Sequence, residues 1–154
     1  MTGGATVLRF DHMPSDFHPL FLFLGDSADL AALADLLRKF AEHPRPVDVR
    51  EALPGAGGRS RLTLVPGDGP VARYGLRAVP GEGTFTWVLN AWQADQVATR
   101  IGSLADNGLR SGNDIIELGL DGEIPVKVSK GEFTDDFLTP RHHLDPDHVD
   151  PGAA

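Results

Sequence analysis

Six carboxylates crowd the stretch between residues 117 and 136: Glu117, Asp121, Glu123, Glu132, Asp135 and Asp136. Side chains of this kind can exchange protons with a substrate, ligate a hard cation or present a negative surface to a basic partner. Glycoside hydrolysis needs a matched pair about 5–9.5 Å apart across a cleft, and chain spacing singles out no such pair here. The histidines form two groups. His142, His143 and His148 accompany Asp145 and Asp147, while His12 and His18 accompany Asp11 and Asp16. Neither group has the His-x3-His or HExxH spacing that sets two imidazoles on one helix face. Incidental histidines in polar segments account for both, and no metal or cofactor is expected. The chain has no cysteine, which excludes disulfides, thiolate zinc sites and cysteine nucleophiles. The glycine-rich run from Gly55 to Ser60 lacks the Gly-Lys-Ser/Thr ending of a phosphate loop.

Three short words stand in a suggestive order. Gly25-Asp26-Ser27 follows an apolar run, Gly112-Asn113-Asp114 comes later, and Asp145-Pro146-Asp147-His148 lies near the C-terminal end. This order resembles the block pattern of the GDSL/SGNH hydrolase family. The resemblance implies Ser27 as nucleophile, His148 as base oriented by Asp145, and Asn113 as an oxyanion donor. Each word also has an ordinary reading, as a helix cap, a strand entry and a tail. The hydrolase is therefore the alternative rather than the leading expectation.

Charge narrows the classes further. The chain carries 22 acidic and 14 basic residues for a net −8, and residues 101–154 alone hold 11 acids against 4 bases. Nucleic-acid binding calls for a basic footprint, so this field argues against it and favours a basic protein partner. The longest apolar run, Leu20 to Leu24, is far too short to span a bilayer. The N-terminal stretch lacks the basic-then-apolar layout of a signal peptide, which makes no membrane association and a cytoplasmic location the expectation.

The elements that must position these groups follow from periodicity. Leu30, Leu33, Leu37 and Phe40, with Ala34 and Ala41 beside them, form one helical stripe; Ala94, Val97, Ala98, Ile101, Leu104 and Ala105 form another. Asp26 or Ser27 can cap the first, and Asn90 with Gln93 predicts a capping box on the second. Ala5–Phe10, Leu20–Leu24, Val47–Leu53, Arg61–Val65, Tyr74–Ala78 and Phe85–Leu89 read as strands, with Asp11–Phe17 a polar loop. Leu20–Leu24 is apolar throughout, as suits a central strand buried on both faces. The fold class predicted is α+β, a mostly antiparallel sheet of about six to eight strands with two amphipathic helices packed on one face. Residues 1–138 form a single domain, and 139–154 form a poorly structured acidic, histidine-containing tail with almost no core residues.

The last hairpin can be read more closely. Ile116, Leu118 and Leu120 alternate before Asp121-Gly122, and Ile124, Val126 and Val128 alternate after it. A two-residue loop would put the two oily sets on opposite faces. A three-residue loop, Leu120-Asp121-Gly122 with Gly122 left-handed, pairs Ile116 with Val126 and Leu118 with Ile124. The wrong register would strand apolar side chains at roughly 1.5–3 kcal/mol each, against a total stability of about 5–15 kcal/mol. Pro125 has no N–H for a ladder and predicts an edge or an irregularity, with Lys127 and Lys130 as edge protection.

No complete catalytic set emerges. The leading expectation is a non-catalytic protein-binding domain of the inhibitor, immunity or adaptor kind. Its predicted contact residues are Glu117, Asp121, Glu123, Glu132, Asp135, Asp136 and Trp92. A further alternative is a structural subunit that self-associates as a homodimer through the edge that Pro125 marks.

Overall fold

A computed structural model describes residues 8–14, 19–81, 83–106, 108 and 110–131. The two helical stripes form as expected. Helix α1 (Ser27–Glu42) buries Leu30, Leu33, Ala34, Leu37 and Phe40, and Asp26 caps it, with Asp29 as its capping-box partner. A second helix is a single turn, α2 (Val49–Ala52), capped by Asp48. Helix α3 (Ala91–Leu104) buries Ala94, Val97, Ala98, Ile101 and Leu104 behind the Asn90/Gln93 capping box. Among the described residues no helix is long and apolar enough to cross a membrane.

The strands are β1 (Arg9–Met13), β2 (Leu20–Gly25), β3 (Val47–Asp48), β4 (Arg61–Pro66), β5 (Gly75–Ala78), β6 (Thr84–Leu89), β7 (Gly112–Ile116) and β8 (Val126–Lys130). They form two four-stranded sheets, ordered β1-β2-β8-β7 and β3-β4-β6-β5. The outer pairs are antiparallel, but the central pairs, β2 with β8 and β4 with β6, are parallel. The expectation of one mostly antiparallel sheet is therefore corrected. Strands β2 and β6 each run straight into a helix, so neither can turn back on its successor, and each takes a distant strand as its inner neighbour.

Smaller corrections have local causes. The first strand runs through Asp11 and His12, where a polar loop was expected, because Arg9 to Met13 pair with Leu24 to Leu20, while Ala5 to Val7 of the expected strand lie outside the described residues. The strand expected over Val47–Leu53 stops after Asp48, whose carboxylate accepts the Glu51 N–H (3.1 Å) and starts a helical turn.

The two sheets are built from two interleaved halves. Shifting by 64 residues carries Phe21 onto Phe85, Phe23 onto Trp87, and the buried set Leu30, Leu33, Ala34, Leu37 and Phe40 onto Ala94, Val97, Ala98, Ile101 and Leu104. The same shift relates the parallel pairs, for Phe21 faces Val126 while Phe85 faces Leu62. Each half is a ββαββ unit, and each sheet takes one strand pair from each half. Helices α1 and α3 pack on one another, and the inner sheet faces meet through Phe21 on Phe85 (5.2 Å between centroids) and Phe23 on Trp87 (5.8 Å). One core serves both halves, so neither sheet is complete without the other half's strands.

Two loops latch the sheets at their margins. The loop before β4 donates the Gly57 N–H to Leu8 O (3.0 Å), beside β1. The loop before β8 donates the Ile124 N–H to Leu76 O of β5 (2.8 Å). The second latch explains where the hairpin departs from expectation. Ile116 does pair with Val126, and Gly122 is left-handed at φ +78°. The ladder ends there, because Ile124 spends its N–H on β5 rather than on Leu118. Pro125 is the irregularity just before β8, and β8 itself is an inner strand rather than an edge. Lys130 is likewise no edge guard: it is 4% exposed and its Nζ donates to Asp106 O (2.6 Å).

Candidate functional site

Strands β4 and β6 end side by side. Their last rung, Pro66 opposite Leu89, is continued by the Gly67 N–H donating to Leu89 O (3.0 Å), and Tyr74 Oη donates to Gly67 O (2.7 Å). This ties the segment between β4 and β5 to the strand end from which α3 starts. At that start Asn90 Oδ1 accepts the Gln93 N–H (2.7 Å) and Gln93 Oε1 accepts the Asn90 N–H (2.9 Å). The reciprocal cap holds the first turn, and Trp92 within it stands 70% exposed, while Trp87 is a core residue at 2%. Val71, in the 3-10 turn between β4 and β5, is 61% exposed.

Arg77 joins the hairpin turn to this end. Its guanidinium donates to Tyr74 O (3.0 Å), Ala72 O (2.7 Å) and Asp121 O (2.9 Å), clamping the 3-10 turn and the hairpin turn together. The contact is close enough to require glycine at 75, where φ is +94° and an added Cβ would lie 2.6 Å from Glu123 Cγ. Glu123 turns inward: its carboxylate accepts the N–H groups of Leu118 (2.7 Å) and Leu120 (3.0 Å). Glu117 and Asp121 are exposed, and their carboxylates enter no ion pair among the described residues. Beside Glu117 a groove of about 400 Å³ is lined by Pro19, Leu20, Ile115, Pro125 and Lys127, with Ile115 48% exposed.

Trp92 thus stands exposed on the first turn of α3, Glu117 and Asp121 stand exposed on the segment between β7 and β8, and Glu123 holds its own loop. Glu132, Asp135 and Asp136 lie outside the described residues, as do Asp145 and His148 of the hydrolase resemblance and the whole expected tail over 139–154. Ser27 is the first residue of α1, and Asn113 lies on β7. Asn113 faces Ser129, which faces Leu24, so two strand spacings, about 10 Å, separate Asn113 from the strand that leads to Ser27.

One cluster escaped the sequence reading. Asp11, 8% exposed, accepts a hydrogen bond from Ser60 Oγ and others from the N–H groups of His12 (2.9 Å) and Arg59 (3.2 Å). Serine, histidine and aspartate meet here, but without a triad's wiring. The hydroxyl donates straight to the carboxylate, and His12 contributes its backbone N–H while its ring packs on Phe85 (4.9 Å). A triad interposes the imidazole. Burial lowers the His12 pKa below its ordinary value, with the Asp11 charge opposing. The cluster secures the first latch, and a separation of 49 residues between Asp11 and Ser60 left no local signal for it. Asp16 and His18 lie outside the described residues.

Among the described residues no group of three or more histidines and carboxylates could hold a metal ion. The fold is that of an α+β protein of two interleaved halves, with an exposed indole on α3 and two exposed carboxylates between β7 and β8. Compared with models of known protein families, with curated proteins and with solved structures, the chain finds no match.

Proposed function

We propose that the chain is a non-catalytic protein-binding domain whose partner presents a basic surface to Trp92, Glu117 and Asp121. The observation that carries this reading is Trp92, 70% exposed on a turn held by a reciprocal cap. An indole held outward on a rigid turn is the kind of residue that dominates interface energetics. These two carboxylates, without an ion pair among the described residues, supply the field that would steer and orient a cationic partner. An inhibitor or immunity-type protein works in this way, by occluding a basic functional surface.

A photocrosslinking amino acid at position 92, compared with one at exposed Ala32 on α1, tests the reading in the native cell. Crosslinks to a discrete protein from position 92 alone are expected. With that partner purified, Trp92→Ala should weaken binding by at least about 2 kcal/mol, roughly 30-fold, and Glu117→Ala with Asp121→Ala should mainly slow association at low salt. Equal affinity for wild type and Trp92→Ala would remove this end from consideration.

A further inference from the structure

The two halves treat equivalent positions between helix and edge strand in different ways. In the second half Arg100 reaches from α3 to Asp114 on β7, with Nε to Oδ2 at 2.8 Å and Nη2 to Oδ1 at 2.6 Å, and Nη2 also donates to Ile115 O (2.9 Å). The 64-residue shift carries Leu36 onto Arg100. Asp114 corresponds to Val47, since Val47 faces Leu64 on β4 and Asp114 faces Val128 on β8, again 64 residues on. The first half therefore has two apolar side chains where the second has a bidentate ion pair. Here α1 and β3 border an open groove of about 470 Å³, within the range of ligand-binding clefts, about 300–1,000 Å³.

The groove has a floor and a rim of different chemistry. Leu36, Phe40 and Val47 make the floor, and Lys39, His43 and Arg45 stand exposed around it. Neither Lys39 nor Arg45 forms an ion pair among the described residues. Lys39 lies in the last turn of α1 and meets the negative end of that helix. Arg45 lies beyond the helix and has no such role, yet it adds positive charge in a chain whose net charge is −8.

We propose that this groove is a second docking surface, for an acidic peptide segment that carries a large apolar side chain. Charge complementarity selects the occupant, because carboxylates flanking an apolar residue would meet the rim while that residue covers the floor. A small inorganic anion would leave Leu36 and Val47 uncovered. A long polyanion without an apolar side chain would leave the same floor uncovered. The groove differs from the Trp92 end in place and in sign, so the failure of either proposal leaves the other standing.

The test uses the full chain and a synthetic peptide, acetyl-Glu-Asp-Leu-Phe-Glu-Asp-amide, followed by amide chemical shifts in 15N spectra. One control replaces Leu-Phe with Ser-Ser, and another replaces the four acids with lysine. Saturable shifts confined to residues 36–52 are expected for the first peptide alone. Lys39→Glu with Arg45→Glu, both at exposed positions, should weaken binding at least about tenfold. Leu36→Arg with Val47→Asp, which gives the first half the second half's residues, should remove it. The same spectra report whether each variant is folded. The proposal is overturned by no shift at residues 36–52 with about 1 mM peptide, by equal binding of the Ser-Ser peptide, or by unchanged affinity in the charge-reversed variant.

Discussion

Asp11 on β1 and Arg77 on β5 occupy equivalent stations, facing Leu22 and Thr86, which are themselves 64 residues apart. Each reaches across to the loop that latches its edge strand, and the two carry opposite charges. Asp11 collects donors, namely the Ser60 hydroxyl and the N–H groups of His12 and Arg59. Arg77 collects carbonyls, from Tyr74, Ala72 and Asp121. Each loop then settles its remaining backbone groups with the opposite kind of side chain. Arg50 donates to Gly58 O (2.8 Å) and Ser60 O (3.0 Å) in the first, and Glu123 accepts from Leu118 and Leu120 in the second. A loop closing a sheet margin needs its polar backbone satisfied. Acid and base are interchangeable in that role, provided the loop turns the matching groups toward the side chain.

The latches should nevertheless differ in strength, because Asp11 is buried and the second latch is partly open to water. Asp11→Ala should show the largest effect, destabilising the chain by about 3 kcal/mol in urea unfolding, since its donors lose their acceptor away from solvent. Glu123→Ala should lower stability by about 1–2 kcal/mol, with water replacing part of what is lost. Equal losses in the two variants would show that the latches are energetically equivalent despite their burial.

The helix-to-edge contacts give a smaller contrast. Arg100→Ala removes a bidentate pair whose partners are 46% and 31% exposed, so about 1 kcal/mol is expected, together with faster amide exchange along β7. Leu36→Ala at the equivalent place should leave β7 exchange unchanged; a matching increase would mean that the two halves do not respond separately.

The smallest effect lies in the helix caps. The first half uses Asp26 and Asp29 where the second uses the uncharged Asn90 and Gln93. Burial raises the Asp29 pKa above its ordinary 3.8, against the lowering effect of its hydrogen bond from the Asp26 backbone. A raised carboxyl pKa means that the folded state holds the proton more tightly than the unfolded one. Its contribution is full below the ordinary carboxylate pKa and is lost as pH rises through the folded value. Asp29→Asn keeps an acceptor for the Asp26 N–H and does not titrate. Its Tm should exceed that of wild type near neutral pH, the gap closing toward acid. Parallel Tm curves for the two proteins would rule this out.

Local order explains what could be read in advance. Both helix stripes, the Asn90/Gln93 box and the left-handed Gly122 depend on residues within a few positions of each other. The pairing of Ile116 with Val126 followed from parity across one turn. The duplication did not show, because Leu20–Ala41 and Thr84–Ala105 share only Phe21/Phe85, Ala34/Ala98 and Ala41/Ala105 as identities. What they share is a pattern of burial, and the same pattern belongs to any strand followed by an amphipathic helix. At the candidate site, exposure of Trp92 rather than Trp87 separated two similar aromatics near one junction. The commitment of Glu123 to Leu118 and Leu120 separated one carboxylate from its exposed neighbours.

By itself the amino-acid sequence determined the two long helices with the buried stripe of each, the pairing of Ile116 with Val126 and the acidic character of the last third. Each of these is governed by interactions over a few residues or by summed composition. Only the tertiary structure decided that the strands divide into two mixed sheets, that each half completes the other's sheet, and that Trp92 rather than Trp87 is exposed. The physical reason is that parallel neighbours such as Leu62 and Phe85, or Phe21 and Val126, cannot be joined by a tight turn. Their pairing is set by burial of one common core, and many strand orders fit the same local pattern until that core is closed.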